Sequence, residues 1–368
     1  MQNNNIYILA IESSCDDTSC AILCNNNVLA NITANQNIHT LYGGVVPELA
    51  SRDHQKNIIA VVDAALKKAT ISLSQLNAIS VTEGPGLMGS LLVGLSFAKS
   101  LSLSLNIPLI GVNHMQGHIL AHFINTEAGQ QDIVTQDRTR NNELETNEQQ
   151  PISYNQKPTF PFICLTVSGG HTQLVKVNDY LNFEVIGETK DDAVGEAFDK
   201  AAKILGLDYP GGPFIDKYAQ QGNASKYKFS DAKITNYDYS FSGIKTSFLY
   251  FIQNNLQKNE NFIKENLNDI CASYQQHLIT VLLKNVIAYL QKSGIKQLAI
   301  AGGVSANSEL RLQIKNLESK LNIKTYIPKF EYCTDNAAMI GITAYYKFIK
   351  NDFSGLEIIP KVRMRVAE

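Results

Sequence analysis

The chain is short of the features that most often declare a function. Its six cysteines, at positions 15, 20, 24, 164, 271 and 333, form no Cys-x-x-Cys pair. That argues against a zinc ribbon or a redox pair and favours reduced cytosolic thiols, with Cys15, Cys20 and Cys24 packing a hairpin. Excess charge is also missing: 32 Lys and Arg stand against 34 Asp and Glu, a net charge of −2. A surface of this kind is not built as a whole to hold a polyanion, so a nucleic-acid partner would need a local basic patch or another subunit. The opening residues Met1 to Asn5 lack the basic character of a signal peptide. The long apolar run Leu87 to Leu105 carries Lys99 and five serines, which reads as a buried amphipathic helix and not as a membrane span. A cytoplasmic location without membrane attachment is the expectation.

Three familiar motifs fail at a specific residue. No Gly-x-x-x-x-Gly-Lys-Ser/Thr occurs, which excludes a Walker-type phosphate loop. Gly84-Pro85-Gly86-Leu87-Met88-Gly89 has dinucleotide-site spacing, but no Asp or Glu lies between Glu83 and Glu127 to take the ribose; it reads as a close-packed strand-to-helix turn. His114 and His118 are spaced as in zinc proteases, yet Met115 follows His114 where those enzymes place their glutamate base.

What remains is a repeat. At 368 residues, with 44% hydrophobic and 18% charged residues, the chain suits a globular protein of two lobes, given the usual ~100–200 residues per domain. The apolar run 6–11, a polar turn and a second run 18–23 form a hairpin. The pattern recurs at Phe162 to Val167, then Ser168-Gly169-Gly170-His171, then Thr172 to Val177. Ala78 to Thr82 meets a glycine turn and a helix, as does Gln297 to Ala301, whose helix is expected from about Ser305. Pro108 to Val112 precedes His114 as Lys324 to Pro328 precedes Asp335. Two like α/β halves facing a cleft would bring these strand ends together, where open α/β sheets bind ligands. Helices are expected over Asp191 to Leu205 and Leu267 to Lys292. Asn125 to Lys157, with six acidic residues and two arginines from Thr126 to Gln150, reads as a flexible loop.

Residues four apart share a helix face, so His114 and His118 can hold a divalent metal if a carboxylate arrives from elsewhere; alone, the pair fits an ordinary surface or capping pair better. Asp335 falls at the matching place of the other half. His122, a turn further on, reads as structural. Ser168-Gly169-Gly170 suits an anion or a plain hairpin turn. Gly302-Gly303 would let a flat base lie on bare backbone, with Asn307 offering an amide. Tyr209 to Pro213 forms another such surface or a helix-ending turn. Asp199 and Asp216 could each accept a sugar hydroxyl or be solvated carboxylates.

Taken together, Ile11 to Thr18, Gly43 to Glu48, His114 to His118, Val167 to Thr172, Gly195 to Lys200, Gly302 to Asn307 and Cys333 to Asn336 strongly resemble the TsaD family. The match runs from about Ile6 to Ile349 and departs at Asn125–Lys157. The resemblance implies a duplicated actin-like, sugar-kinase-like (ASKHA) fold of two lobes. The corresponding division is a first lobe over 1–124 joined by a helix over 336–350, an insertion over 125–158, a second lobe over 159–335 and a tail over 351–368. It implies that His114, His118 and Asp335 ligate a metal, usually iron, Fe(2+), and sometimes zinc, Zn(2+). Substrate would be held by Thr166, Val167, Ser168, Gly169, Gly170, Asp199, Gly212, Asp216 and Asn307. The implied reaction moves a threonylcarbamoyl group from threonylcarbamoyl-AMP to the adenosine 3′ of the anticodon in tRNA. TsaB and TsaE are the implied partners, with the chain as a homodimer or a TsaB heterodimer. An ATPase or kinase of the same fold, which would not need the metal triad, and a non-catalytic scaffold are the rival readings.

Overall fold

A computed structural model describes residues 5–125, 156–230, 234 and 236–368. The expected loop Asn125–Lys157 lies, apart from its ends, outside the described residues. In the first half the strands are β1 (Tyr7–Glu12), β2 (Thr18–Cys24), β3 (Asn27–Ala34), β4 (Ala78–Gly84) and β5 (Leu109–Asn113), with helices α1 (Pro47–Ala69), α2 (Met88–Leu105) and α3 (His114–Leu120). The second half has β6 (Phe162–Val167), β7 (Thr172–Asp179), β8 (Asn182–Glu188), α4 (Val194–Ile204), α5 (Gly211–Ala219), α6 (Ser242–Leu256), α7 (Phe262–Ser293), β9 (Gln297–Ala301), α8 (Ser308–Leu321), β10 (Lys324–Tyr326) and α9 (Ala337–Ile349).

Each half forms one five-stranded sheet, in the orders β3-β2-β1-β4-β5 and β10-β9-β6-β7-β8. The orders are equivalent: an antiparallel meander extended by parallel strands, which pair in register from Ile8 with Ala78 and from Ile163 with Leu298. The repeat seen in sequence is thus a repeat of topology, the duplicated ASKHA architecture. The central strands are buried on both faces, which is why they read as unbroken apolar runs. Leu9 and Ile11 point outward to pack with Ile58, Val62 and Leu95, on the layer of α1 and α2. Ile8 and Ala10 point inward to a layer shared with Ile119 of α3, Met339 and Ile340 of α9, and Phe162 and Cys164 of the second sheet. Ile163 and Leu165 face the helices α4 to α8. The order of layers is helices, sheet, α3 with α9, sheet, helices.

The middle layer joins the halves. Helix α9 packs on β1, β2 and β5, whereas α3 reaches β6 and β9 as well as its own β5. Gly117 allows the two helices to touch, since a Cβ there would meet Ile340 Cδ1 and Met339 Cγ at 3.2 Å. Helix α2 is long and apolar enough to cross a membrane by length and composition; it lies against α1 and β4. Two helix bounds differ from expectation. Helix α4 starts at Val194 because Asp191 accepts hydrogen bonds from Ser242 Oγ and the Phe241 amide, which hold it outside the helix. Helix α7 starts a turn and more earlier than Leu267, at Phe262, whose ring packs against Phe251 of α6. The Tyr209–Pro213 turn opens α5 and does not end α4, which has already closed at Ile204 with Gly206 in the left-handed region.

His122 has the structural role expected of it. Its Nε2 donates to the Ile300 carbonyl of β9 at 2.9 Å, and burial pushes its pKa from 6.5 down to about 4. A histidine depressed in the folded state takes up its proton in the unfolded chain first. Stability therefore falls as pH drops from about 6.5 to about 4, by up to about 3 kcal/mol for such a shift. His122→Gln keeps a donor and removes the titration, so its urea midpoint should fall less steeply over that window than the parent's, and parallel pH profiles would refute the assignment.

Candidate active site

Strand β5 ends at Asn113, whose Oδ1 accepts from the amides of Met115 and Gln116 and so caps α3. That cap fixes where the helix begins and presents His114 and His118 on one face, with ring centroids 4.7 Å apart. Asp335 enters from the other half, just before α9, whose own cap is Asn336. His114 Nε2 and His118 Nε2 stand 3.3 and 3.2 Å from the same Asp335 Oδ1. The three ligand atoms lie within 4.8 Å of one another. Both histidines are buried, and the Asp335 side chain is 27% exposed.

The donor set fits a divalent cation. Two imidazole lone pairs and a carboxylate oxygen converge, and without a cation only protons can offset their repulsion. Burial disfavours the imidazolium of His114, yet Asp335 and Glu12 outweigh it and hold its pKa well above the usual value. Burial likewise opposes the charged form of Asp335, but His114 holds its carboxyl below the ordinary range. His118 is held low, first by burial. A bound cation would replace the shared proton, with no change in the side chains' directions. His118 Nδ1 is buried without a hydrogen-bond partner.

Glu12, at the end of β1, was not among the sequence candidates. It is fully buried, with Oε2 2.9 Å from His114 Nδ1. Thr82 Oγ1 donates to the same oxygen at 2.6 Å, and the Ser14 amide donates to Oε1 at 2.5 Å. A carboxylate behind a ligating imidazole fixes the tautomer that leaves Nε2 free to bind. The only sequence signal was its place at a strand end, matching Val167 and the Ser168 turn of the other half. His171 was quoted only within its motif; burial first, then His114 and His118, push its pKa down to about 4, so it faces the site as a neutral ring.

The other sequence-predicted residues all lie in the second half. Ser168 to His171 closes the β6–β7 hairpin, with the Ser168 amide donating to the His171 carbonyl at 2.8 Å. Gly169 and Gly170 are exposed, and a Cβ on either would have nothing within 4 Å, as is true of Gly303. None of the three needs positive φ. Gly302 differs: its φ is +88° and a Cβ would lie 2.4 Å from the Val167 carbonyl oxygen, so the fold itself requires glycine there. Thr166 and Val167 lie inside β6, paired with β7, and each is fully buried, main chain included.

Asp199 and Asp216 are not freely solvated. Asp199 Oδ1 accepts from the Gly211 amide at 2.8 Å, and burial raises its pKa. Asp216 accepts from Ser308 Oγ at 2.7 Å, from the Ser308 amide at 3.1 Å and from Gln275 Nε2 at 3.1 Å. Asn307 caps α8 through its Oδ1 and donates to Gln275 Oε1 at 2.8 Å. Gln275, on α7, thus joins Asp216 to Asn307. Gly212 is nearly unobstructed, its nearest neighbour being Phe198 Cβ at 4.0 Å. Across the cleft, Tyr209 is perturbed by Asp16 and Asp17 of the first half's turn, after burial, which itself raises its pKa.

Glu12→Gln keeps the shape of this support and removes its charge. We expect metal affinity to fall about 10- to 100-fold, with an unchanged far-ultraviolet circular dichroism spectrum; chelator competition gives the number, and unaltered affinity would show that His114 needs no carboxylate behind it.

Comparison with known proteins agrees with this geometry. The profile of the family described as "TsaD: tRNA N6-adenosine threonylcarbamoyltransferase" matches residues 27–135 and 142–342. Its one interruption falls inside the 125–158 segment. A tRNA N6-adenosine threonylcarbamoyltransferase of Christiangramia forsetii is 54% identical over 99% of this chain and 100% of its own length. One from Cytophaga hutchinsonii is 51% identical over 99% of this chain and 98% of its own. Among solved structures, T. kodakarensis HypF aligns over 96% of this chain and 49% of its own with a TM-score of 0.56, at 12% identity, a likeness of fold alone.

Proposed function

Since the chain belongs to the TsaD family, the tRNA N6-adenosine threonylcarbamoyltransferases, we propose that its cleft moves the threonylcarbamoyl group of threonylcarbamoyl-AMP onto the N6 amine of the adenosine 3′ of the anticodon, in tRNAs reading codons that begin with A. The observation that supports this reading is the convergence of His114, His118 and Asp335 on one point, in a chain whose second half also carries glycine turns, at Gly169, Gly170 and Gly303, that no packing explains. The amine attacks the carbamoyl carbon. The bond from that carbon to the phosphate oxygen breaks, AMP leaves with the electron pair, and the amine loses a proton.

His114, His118 and Asp335 would hold iron, Fe(2+), with Zn(2+) as the alternative, since two imidazoles and a carboxylate suit both. Bound there, the metal supplies a Lewis acid that polarises and orients the substrate. The chain's own residues do the rest. Gly169 and Gly170 of the hairpin turn offer backbone amides to the phosphate, the Ser168 amide being engaged by His171, and the bare backbone at Gly303 receives the adenine. Asp199 and Asp216 face the ribose, with Gly212 leaving room for it and Asn307 set by Gln275. Thr166 and Val167, buried at the end of β6, carry the Ser168 turn into place. Fixed donors around a leaving phosphate lower the barrier because they need no reorganisation as charge develops.

The domain division given above is carried as part of this reading: lobes over 1–124 with 336–350 and over 159–335, the 125–158 segment and a tail over 351–368. TsaB and TsaE are assigned as partners and the cytoplasm as the location, with the chain working as a homodimer or with TsaB. A groove of about 540 Å³ between α1 and α2, lined by Ile58, Leu92, Val93 and Phe97, supports a protein partner.

The direct test is transfer from threonylcarbamoyl-AMP to unmodified tRNA with TsaB and TsaE present; no transfer and no AMP release from a metal-loaded chain would reject the proposal. Two sets of variants test the parts. Gly169→Ala and Gly303→Ala clash with nothing in the protein, so they should leave the melting temperature within about 1 °C while weakening adenylate binding about tenfold or more; calorimetric titration reads this, and normal affinity would move the nucleotide elsewhere. Asp335→Ala should lower metal content as much as His114→Ala while each remains folded, and full occupancy in a folded Asp335→Ala protein would place the third ligand elsewhere.

A further inference from the structure

The last residues of the chain form a strap across the end of the first sheet. The Lys361 amide donates to the Glu83 carbonyl at 2.8 Å, and the Val362 carbonyl accepts from the Gly86 amide at 3.3 Å. Further on, the Arg365 carbonyl accepts from Asn113 Nδ2 and the Val366 carbonyl from Gln116 Nε2, each at 2.8 Å. Val366 is fully buried in the middle layer. The strap is therefore bound to the two residues that flank the His114 turn, and Asn113 serves both as helix cap and as anchor.

Its side chains are basic where its backbone is fixed. From Pro360 to Val366 the sequence holds Lys361, Arg363 and Arg365 and no acid. All three are exposed. Lys361 is neutralised by Glu83 at 2.8 Å, whereas no ion pair among the described residues engages Arg363 or Arg365. The neighbouring cleft is acidic: Asp16, Asp335 and Glu12 act together to raise Asp17, after burial, to about 7. Such a mouth repels a polyanion, and a chain of net charge −2 has no surplus to offset it.

We propose that Arg363 and Arg365 bind backbone phosphates of the RNA on either side of the nucleotide entering the site. The inference rests on the reading of the chain as a tRNA-modifying enzyme and adds the surface that reading lacks. Guanidinium groups grip phosphate in bidentate fashion. The Arg365 carbonyl is bonded to Asn113, next to His114, and Arg363 lies between that bond and the one from the Gly86 amide to the Val362 carbonyl, so the strap holds both residues within a short reach of the His114 turn. Phosphates flank every nucleotide, so cations at that distance meet them whatever the sequence. Because Arg365 and Asn113 share a bond, RNA held by the strap is also held in register with α3.

The test is steady-state transfer to tRNA with TsaB, TsaE and threonylcarbamoyl-AMP, at several salt concentrations, for the parent and for Arg363→Gln with Arg365→Gln. The double variant should raise KM for tRNA about tenfold with kcat nearly unchanged. Losing two phosphate contacts should also flatten the dependence of log(kcat/KM) on log salt by about 1.4 to 1.8. Lys at both positions should restore much of the slope. Metal content, affinity for threonylcarbamoyl-AMP and circular dichroism should match the parent, because the anchoring bonds come from the backbone. Unchanged KM and slope in the double variant would overturn the strap and leave the transferase reading intact. A raised KM accompanied by lost metal would overturn it too, by showing a structural role. Failure of the parent to transfer at all would overturn the transferase reading itself.

Discussion

Everything in the site depends on the contact between α3 and α9 at Gly117. One helix brings two histidines, the other is preceded by the carboxylate that faces them, and the absent side chain at Gly117 sets how near they come. The apolar residues around it hold that distance. Ile119, Leu120, Met339 and Ile340 are all fully buried, and each such side chain contributes roughly 1.5–3 kcal/mol of burial. The polar centre therefore borrows its rigidity from the apolar layer beneath it.

That arrangement also sets the electrostatics. Asp335, Asp16 and Asp17 stand close together with Glu12 buried behind them, and His114 is the cation between Glu12 and Asp335. A concentration of carboxylates around imidazoles strains a bare protein and is relieved by a cation. The fixed partners of Glu12, at Thr82 and Ser14, keep it from turning away. The second half supplies Asp335 to this cluster and otherwise differs in kind. It offers helix starts, open glycines and carboxylates already occupied by backbone amides, which is a surface suited to orienting a ligand.

The fold was legible because both sheets are buried on two faces, so strands such as β1 and β6 appear as apolar runs and recur in the same order. His114, His118 and Asp335 were legible through spacing and through the repeat. Glu12 was not, because a glutamate after an apolar run looks like any polar turn until Thr82 and His114, far off in sequence, close on it. Asp216 and Asn307 were read as separate ligand contacts; only the fold brings Gln275 between them. Glycines posed the opposite difficulty. Gly302 and Gly303 are adjacent and look alike in sequence, yet one answers to the Val167 carbonyl and the other to open space.

The exchange of helices in the middle layer has a consequence for how such a chain could have arisen. Helix α9 covers the first sheet, and α3 reaches the second. A single half, severed from the other, would keep its outer helices but leave its inner sheet face bare to water. An ancestor of half this length would thus have been obliged to pair with its own copy, each lending a helix to its twin, and the doubled gene made that embrace permanent within one polypeptide. What had been an interface between equals could then diverge, one side gathering histidines while the other opened its turns.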